Sequence, residues 1–244
     1  MKYIAVALLV AVLTPTVARA QSPNQESRQS SSPRADQGPE TSVQPQPDSP
    51  LRLSVSTRWV SDGRGYEVST VVQNVGDRAV TAYATRYAPE GEPRGGCALW
   101  NIMSPGRVLR PGQSDVKSTW RGFSPSDPLL TYAVDFIEFT DGATWGADVC
   151  HSAERLAGER AGGRAAASRL LELLAEGGPE AVKRAFGDGV SDVAPPAGHS
   201  TVWEEGFRIG VKVIAGRARR AVEEFGPEEI EHTLKRPYDA AGSR

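Results

Sequence analysis

The sequence predicts a β-sandwich of about seven strands followed by an α-helical C-terminal region, with a disordered tether in front of both. Three observations predict this order. Across residues 51–150 apolar residues alternate with polar ones at a period of two, and Gly- or Pro-rich turns separate the runs. Across residues 151–244 apolar residues recur at helical spacing. Residues 21–50 contain almost no apolar side chains.

The N-terminal segment, residues 1–20, has the pattern of a secretory signal peptide. Lys2 supplies a positive start, residues 4–13 are an unbroken apolar run, and Ala18-Arg19-Ala20 is the small-x-small pattern that signal peptidase cleaves. An uncleaved membrane anchor is the alternative, but the run is about half of the roughly 20 residues that a spanning helix needs. We expect cleavage after Ala20, a periplasmic or secreted protein, and no integral membrane segment in the mature chain.

The next segment, residues 21–50, contains seven Ser, six Gln and six Pro. Such a composition buries too little apolar surface to offset the entropy of the chain, so the sequence predicts a disordered linker. Two interpretations stay open. The linker is either a tether between an envelope surface and the folded part, or a solvated tail with no partner.

The strands of the sandwich follow one another through residues 51–150. In the first, Leu51, Leu53 and Val55 alternate with polar residues. The remaining strands are predicted at residues 66–74, 79–87, 97–102, 115–120, 130–137 and 143–146, the last after the hairpin turn Asp141-Gly142. About seven short strands in a hundred residues are typical of a sandwich. Four tryptophans are expected in its core: Trp59, Trp100, Trp120 and Trp145.

Two turn segments of this region resemble those of known modules. One is the run Val71-Val72-Gln73-Asn74 followed by Gly76-Asp77, and the other is Leu109-x-Pro111-Gly112-x-Ser114. Both resemble the strand–turn–strand signature of immunoglobulin-like or fibronectin-III-like modules of secreted bacterial proteins. The resemblance covers residues 51–150, without the Cys–Trp–Cys pattern of antibody domains. It implies an Ig-like architecture and, by analogy, partner binding.

Helices are predicted near residues 152–176, 179–186 and 200–225. Ser152 is a suitable first cap, and Gly177-Gly178-Pro179 ends the first helix. Thr201-x-x-Glu204 reads as a capping box for the third. The apolar stripes need a partner, which is another helix, the sandwich, or a second copy across a dimer.

The two cysteines of the chain, Cys97 and Cys150, are expected to form a disulfide, because a lone pair in an exported protein is usually oxidised. The alternatives are two free thiols or a metal site at Cys150-His151. A single Cys-His dipeptide without further spaced ligands is a weak zinc signal.

Motifs of catalysis are missing from the sequence. It contains no Gly-x-Ser-x-Gly elbow, no His-Glu-x-x-His and no phosphate loop. A cluster at Gly158, Gly162 and Gly163 lacks the spacing of a dinucleotide site, and its helical context favours close packing between helices. We therefore predict a non-catalytic protein without a cofactor or a metal.

Four carboxylates lie close together in the sequence: Asp135, Glu138, Asp141 and Asp148. A buried Asp135 with a raised pKa would suit a glycosidase-like acid. The alternative is a sheet residue bonded to backbone or to an Arg. The hairpin turn explains Asp141, and the start of a helix explains Asp148.

Tyr83 and Tyr87 lie on one face of the third predicted strand and are the candidate binding residues. An exposed face would let their rings stack on sugars, whereas a buried face would make them part of the core. The chain has 28 Lys and Arg against 30 Asp and Glu, a net charge of −2, which argues against nucleic acid as a partner. A basic cluster on the long helix has glutamates on both sides, which is typical of a solvated helix face.

These patterns lead to one functional hypothesis and two alternatives. The hypothesis is an exported bacterial protein that acts as a protein-interaction or structural module, with an unknown partner in the cell envelope or extracellular space. The first alternative is a carbohydrate-binding module with exposed Tyr and Trp side chains. The second is a secreted enzyme or proteinase inhibitor.

Overall fold

The computed structural model describes residues 38–60, 65–90, 95–101, 108–122, 129–188, 190, 192–226 and 229–235. The predicted signal peptide and residues 21–37 of the predicted linker lie outside these residues. Within the described part of the chain a β-rich half precedes a helical half, in the order that the sequence predicts.

The β-rich half has two sheets. Its strands, within the described residues, are β1 (Thr41–Val43), β2 (Leu51–Trp59), β3 (Gly65–Asn74), β4 (Val80–Pro89), β5 (Gly96–Asn101), β6 (Ser114–Gly122), β7 (Leu130–Phe139) and β8 (Thr144–Trp145). One sheet has the order β1-β7-β4-β5, with β8 also paired to β7, and the other has the order β2-β3-β6. β1 runs parallel to β7, and the other pairs are antiparallel.

The core of this half is built from both sheets. In β2, Leu51 and Leu53 are buried while Arg52 and Ser54 are exposed, as the period of two predicts. They join one apolar cluster with buried side chains from β3, β4 and β7, among them Tyr66, Val72, Tyr83, Val134 and Ile137. The two sheets therefore form two layers around a shared core.

The second part of the predicted linker belongs to this fold, which corrects the prediction for residues 38–50. β1 pairs with β7 from Thr41 to Val43, and the Gln46 amide both donates to the carbonyl of Val134 and accepts from its N–H, at 2.8 Å each. Backbone and amide hydrogen bonds hold this segment. A composition argument misses it, because that argument counts apolar area alone.

Asn74 joins the two turn segments that carry the resemblance. Its side chain is fully buried, donates to the carbonyls of Arg78 and Leu109 at 2.7 and 2.9 Å, and accepts from the N–H of Gly76. Its own carbonyl accepts from the N–H of Gly112 at 2.8 Å. One buried amide thus fixes both turns against each other.

The helical half contains α1 (Ser152–Asp188), α2 (Thr201–Phe225) and α3 (Glu229–Lys235) among the described residues. Gly178 has a non-helical backbone and divides α1 at the predicted stop before Pro179. The predicted capping box is wrong by one residue: Ser200 is the cap of α2, and its hydroxyl accepts from the N–H of Trp203 at 3.1 Å. Ser200 takes the capping position instead of Thr201 because its extended backbone lets the hydroxyl reach that N–H.

Glycines bring α1 and α2 into close contact. A Cβ atom on Gly158 would lie 2.1 Å from the carbonyl oxygen of Trp203, and one on Gly206 would lie 2.2 Å from that of Arg155. Gly162 and Gly210 have equally close backbone neighbours at 2.0 Å. The contacts advance in the same direction along both helices, so the helices run parallel here. The close packing that the sequence predicts for the α1 glycines is confirmed.

The start of α1 packs against the outer face of the β4–β7 sheet. Leu156 is buried there with Ala82, Ala84 and Phe136. One turn later Arg160 donates two hydrogen bonds to Glu138, at 2.6 and 2.9 Å. Burial raises the pKa of Glu138, but hydrogen bonds from Arg160 and Thr81 outweigh it, so the pKa lies below its usual value.

No helix in the described ranges is both long and apolar enough to cross a bilayer.

The glycine contact can be tested with two alanine substitutions in the same helix. Gly206→Ala is expected to lower the free energy of unfolding by about 1–3 kcal/mol, because its methyl group collides with backbone. Gly216→Ala has no atom within 4 Å of its new Cβ, and we expect it to raise the free energy of unfolding by about 1 kcal/mol. Urea titration followed by circular dichroism measures both. Equal shifts in the same direction would contradict the close packing.

Candidate functional site

Asp135, the candidate acid, lies at a bulge in β7. In the pairing with β4, Ala84 faces Phe136 and Thr85 faces Val134, which leaves Asp135 as the extra residue. Its side chain is 1% exposed. The carboxylate accepts from the N–H of Val149 at 3.2 Å and from that of Cys150 at 3.0 Å.

The surroundings of Asp135 are those of a structural carboxylate. Arg86 forms an ion pair with the Asp135 carboxylate at 3.9 Å. The backbone carbonyl of Asp135 accepts from the N–H of Asp148 at 3.0 Å. Gly146 has a φ of 111° and passes so close that a Cβ atom would lie 2.2 Å from the same carbonyl oxygen. The contacts match the second interpretation of the sequence, a sheet residue bonded to backbone and to an Arg.

The other three carboxylates also have partners. Asp148 caps α1 by accepting from the N–H groups of Ser152 and Ala153. Asp141 pairs with Arg78 and accepts from the N–H of Ala143, and the bonds from both lower its pKa. Glu138 is engaged by α1 as described above. Each carboxylate thus fixes a local element of the fold.

Cys97 and Cys150 form the predicted disulfide, with Cα atoms 6.2 Å apart. The bond connects β5 to the segment just before α1. His151, the neighbour of Cys150, is exposed and has a backbone φ of 53°. In the described part of the chain no group of three or more His, Cys, Asp or Glu side chains could hold a metal ion.

Tyr83 lies inside the sandwich and offers no face for stacking on a sugar. It is 2% exposed, stacks on Trp100 with a centroid distance of 5.1 Å, and donates from its hydroxyl to Asp115 at 2.5 Å. Burial and the contact with Asp115 raise its pKa well above the usual range. The phenol therefore stays protonated and acts as a fixed hydrogen-bond donor.

Tyr87 is half-buried and has a cation over its ring. The Arg121 guanidinium lies 4.1 Å from the ring centroid, and Lys117 lies 5.3 Å from that of Tyr83. Burial lowers the pKa of Lys117, although Asp115 acts in the opposite direction. We call Tyr83, Tyr87, Lys117 and Arg121 the tyrosine–cation cluster. It fills the space between β6 and β4, so neither predicted binding residue forms an open sugar platform.

Tyr132 extends this cluster into the core. Its ring lies 5.7 Å from that of Tyr87, and its buried hydroxyl has no hydrogen-bond partner among the described residues. Burial raises its pKa, and Arg121 acts in the opposite direction.

Among the described residues of the β-rich half, Trp120 is the exposed aromatic side chain, and the prediction that it lies in the core is wrong. Trp59, Trp100 and Trp145 pack partly buried against the core, but Trp120 is 60% exposed on β6. Its indole lies across Gly65, where a Cβ atom would be 2.7 Å from the ring. Val116, four residues earlier on the same face of the strand, is 62% exposed.

The orientation of β6 explains this correction. Its apolar residues point outward, while Asp115, Lys117 and Arg121 point toward the other sheet and contact Tyr83 and Tyr87. Hydrophobic patterning assumes that apolar residues face the core, and inward-pointing charges reverse that assumption on an edge strand. The signal was present in the sequence, because three charged residues and Thr119 alternate with Val116, Ser118 and Trp120. We call these three residues the edge face.

Comparisons with known proteins add little to this geometry. No protein-family model matches the chain, and neither does any curated protein. Among solved structures the chain is similar to a Bordetella pertussis protein that carries the name ApaA, with 15% sequence identity and a TM-score of 0.27. The likeness covers 44% of this chain and 89% of that one. At this TM-score it carries no argument about fold or function.

The role of Asp135 can be tested by replacing its carboxylate with an amide. Asp135→Asn is expected to lower the free energy of unfolding by about 1–3 kcal/mol, because the buried side chain then places an amide NH2 donor opposite the N–H of Val149 or of Cys150. The matched control is Asp141→Asn on the surface hairpin, where Asn-Gly suits the turn equally well and we expect less than about 1 kcal/mol. Denaturant titration of the oxidised protein measures both, and equal losses would contradict the assignment.

Proposed function

We propose that this chain is an exported, non-catalytic interaction module, with an Ig-like sandwich that carries the binding surface and a helical region joined to it. Export is supported by the sequence pattern of residues 1–20 and by the Cys97–Cys150 disulfide, which suits an oxidising compartment. The Ig-like assignment is supported by two sheets around one core and by the turn signatures that Asn74 joins.

The observation that carries the interaction role is the exposed apolar surface of β6. Val116 and Trp120 project from the outer side of an edge strand, 62% and 60% exposed. Tryptophan is one of the residue types enriched among those that contribute most of the binding energy of protein interfaces. The polar groups of Asp135 and of the tyrosine–cation cluster, in contrast, are engaged within the fold. The edge face is therefore the best candidate for partner contact.

A carbohydrate-binding module is the second candidate, and one observation favours it. The indole of Trp120 lies next to Gly65 and remains mostly exposed, and an exposed ring is a suitable platform for a sugar. This role would depend on Trp120 and not on the two tyrosines that the sequence suggests.

One pair of assays separates these functions. The exported protein is labelled with a short amine-reactive crosslinker and mixed with the native envelope fraction. The proteins that it captures are compared between wild type and Trp120→Ser. We expect one protein partner whose capture falls about tenfold or more with the substitution. Phe225→Ser is the matched control, since Phe225 is an exposed aromatic residue, 65% exposed, at the end of α2.

The same protein is then applied to a glycan array. The interaction role predicts a blank array and capture that the control leaves intact. Glycan binding that Trp120→Ser abolishes would replace the proposal with the carbohydrate-binding role. Capture that is equal for wild type and both variants would exclude the edge face as the binding surface.

A further inference from the structure

No strand of the described residues pairs with the second edge of β6. β6 ends the order β2-β3-β6, and within the described ranges it pairs with β3 alone. An edge strand of nine residues presents a row of N–H and C=O groups that can bind another strand.

Two hydrogen bonds establish which residues present these groups. The N–H of Asn74 donates to the carbonyl of Gln113 at 2.9 Å, and the N–H of Val60 donates to the carbonyl of Gly65 at 3.0 Å. In an antiparallel ladder the direction alternates with each residue. The backbone groups of Asp115, Lys117, Thr119 and Arg121 therefore point to β3. Those of Ser114, Val116, Ser118, Trp120 and Gly122 point to the free edge.

We infer that the partner of this edge is a second copy of the same chain, bound as an antiparallel strand about a twofold axis at Ser118. The inference rests on the proposed interaction role of the edge face. Ser118 is the midpoint of β6, so this register pairs all nine residues of one strand with all nine of the other. It also places the backbone groups that point to the free edge of one copy opposite those of the other copy, as an antiparallel ladder requires.

The side chains of β6 are self-complementary in this register. On the outer face Val116 lies opposite Trp120 of the second copy, an aromatic and β-branched pair that favours sheet pairing. On the inner face Asp115 lies opposite Arg121 of the second copy, which is a pair of opposite charges. The twofold axis repeats both pairs, so each interface has two apolar pairs and two charge pairs.

Neighbouring registers are less favourable. An axis at Lys117 would place two lysines opposite each other, and an axis at Thr119 would place Lys117 opposite Arg121. An axis at Val116 would pair only residues 114–118. The inward charges of β6 thus oppose other pairings while they allow this one, which gives the interface its specificity.

The test uses the purified, exported full-length protein and measures its mass by light scattering over a range of concentrations. We expect a concentration-dependent dimer of twice the monomer mass. Val116→Lys is expected to weaken dimerisation at least tenfold, and so is Trp120→Glu. The matched control is Ser54→Lys, which adds the same charge at an exposed position of β2, the other edge of the same sheet.

The double variant V116K/W120E tests the register directly. Each introduced lysine then lies opposite an introduced glutamate of the second copy, so dimerisation should recover at least tenfold relative to either single variant. Circular dichroism should show that all variants stay folded, since both positions are exposed.

Three results would overturn the inference. They are a wild-type monomer at every concentration, a dimer that Val116→Lys leaves intact, and a double variant no stronger than the single ones. A wild-type monomer that still captures an envelope protein through Trp120 would leave the proposed interaction role standing and exclude self-association. A wild-type dimer that captures no envelope protein would support self-association and exclude the capture of an envelope protein through Trp120.

Discussion

The hydrogen bonds from the N–H groups of Val149 and Cys150 to the Asp135 carboxylate connect the sheets to the helices. The bulge in β7 turns this side chain away from the core of the sandwich and toward the segment that precedes α1. Two further contacts then fix the course of that segment. Its Asp148 caps α1, and its Cys150 meets Cys97 on β5. The Asp135 carboxylate is buried, and a buried acceptor that loses its donors costs about 1–3 kcal/mol, so these hydrogen bonds favour this path of the segment.

The helical half depends on this joint because its apolar contact with the sheet is small. Leu156 is the buried side chain that α1 contributes to the cluster on the outer sheet face, next to the Arg160–Glu138 pair. Most apolar residues of α1 and α2 pack against each other instead. The disulfide joins two residues with a sequence separation of 53, and closing this loop is worth about 4 kcal/mol in the chain-entropy model. Polar and covalent bonds thus join two cores that hydrophobic burial alone leaves nearly separate.

Local chemistry made some elements predictable from the sequence. Period-two alternation located the strands, Gly178-Pro179 located the break in α1, and the export expected from the pattern of residues 1–20 predicted the disulfide. β1 was missed because hydrogen bonds hold it and not apolar burial. Trp120 was misplaced because β6 directs its charges inward, and the contacts that reward this lie on β4, far away in the sequence. Of the candidate site residues, the sequence identified Tyr83, Tyr87 and Asp135, but their burial depends on long-range packing that periodicity does not encode.

Amide hydrogen exchange, followed by NMR on the oxidised protein, tests the joint most directly. The side chain of Val149 is 56% exposed and the segment is not part of a helix or strand, so its amides would exchange fast without a partner. Our account predicts that the amides of Val149 and Cys150 exchange as slowly as the hydrogen-bonded amides of β7. Exchange of both amides at the rate of an open loop would contradict it, because the Asp135 carboxylate would then not hold the segment that starts α1.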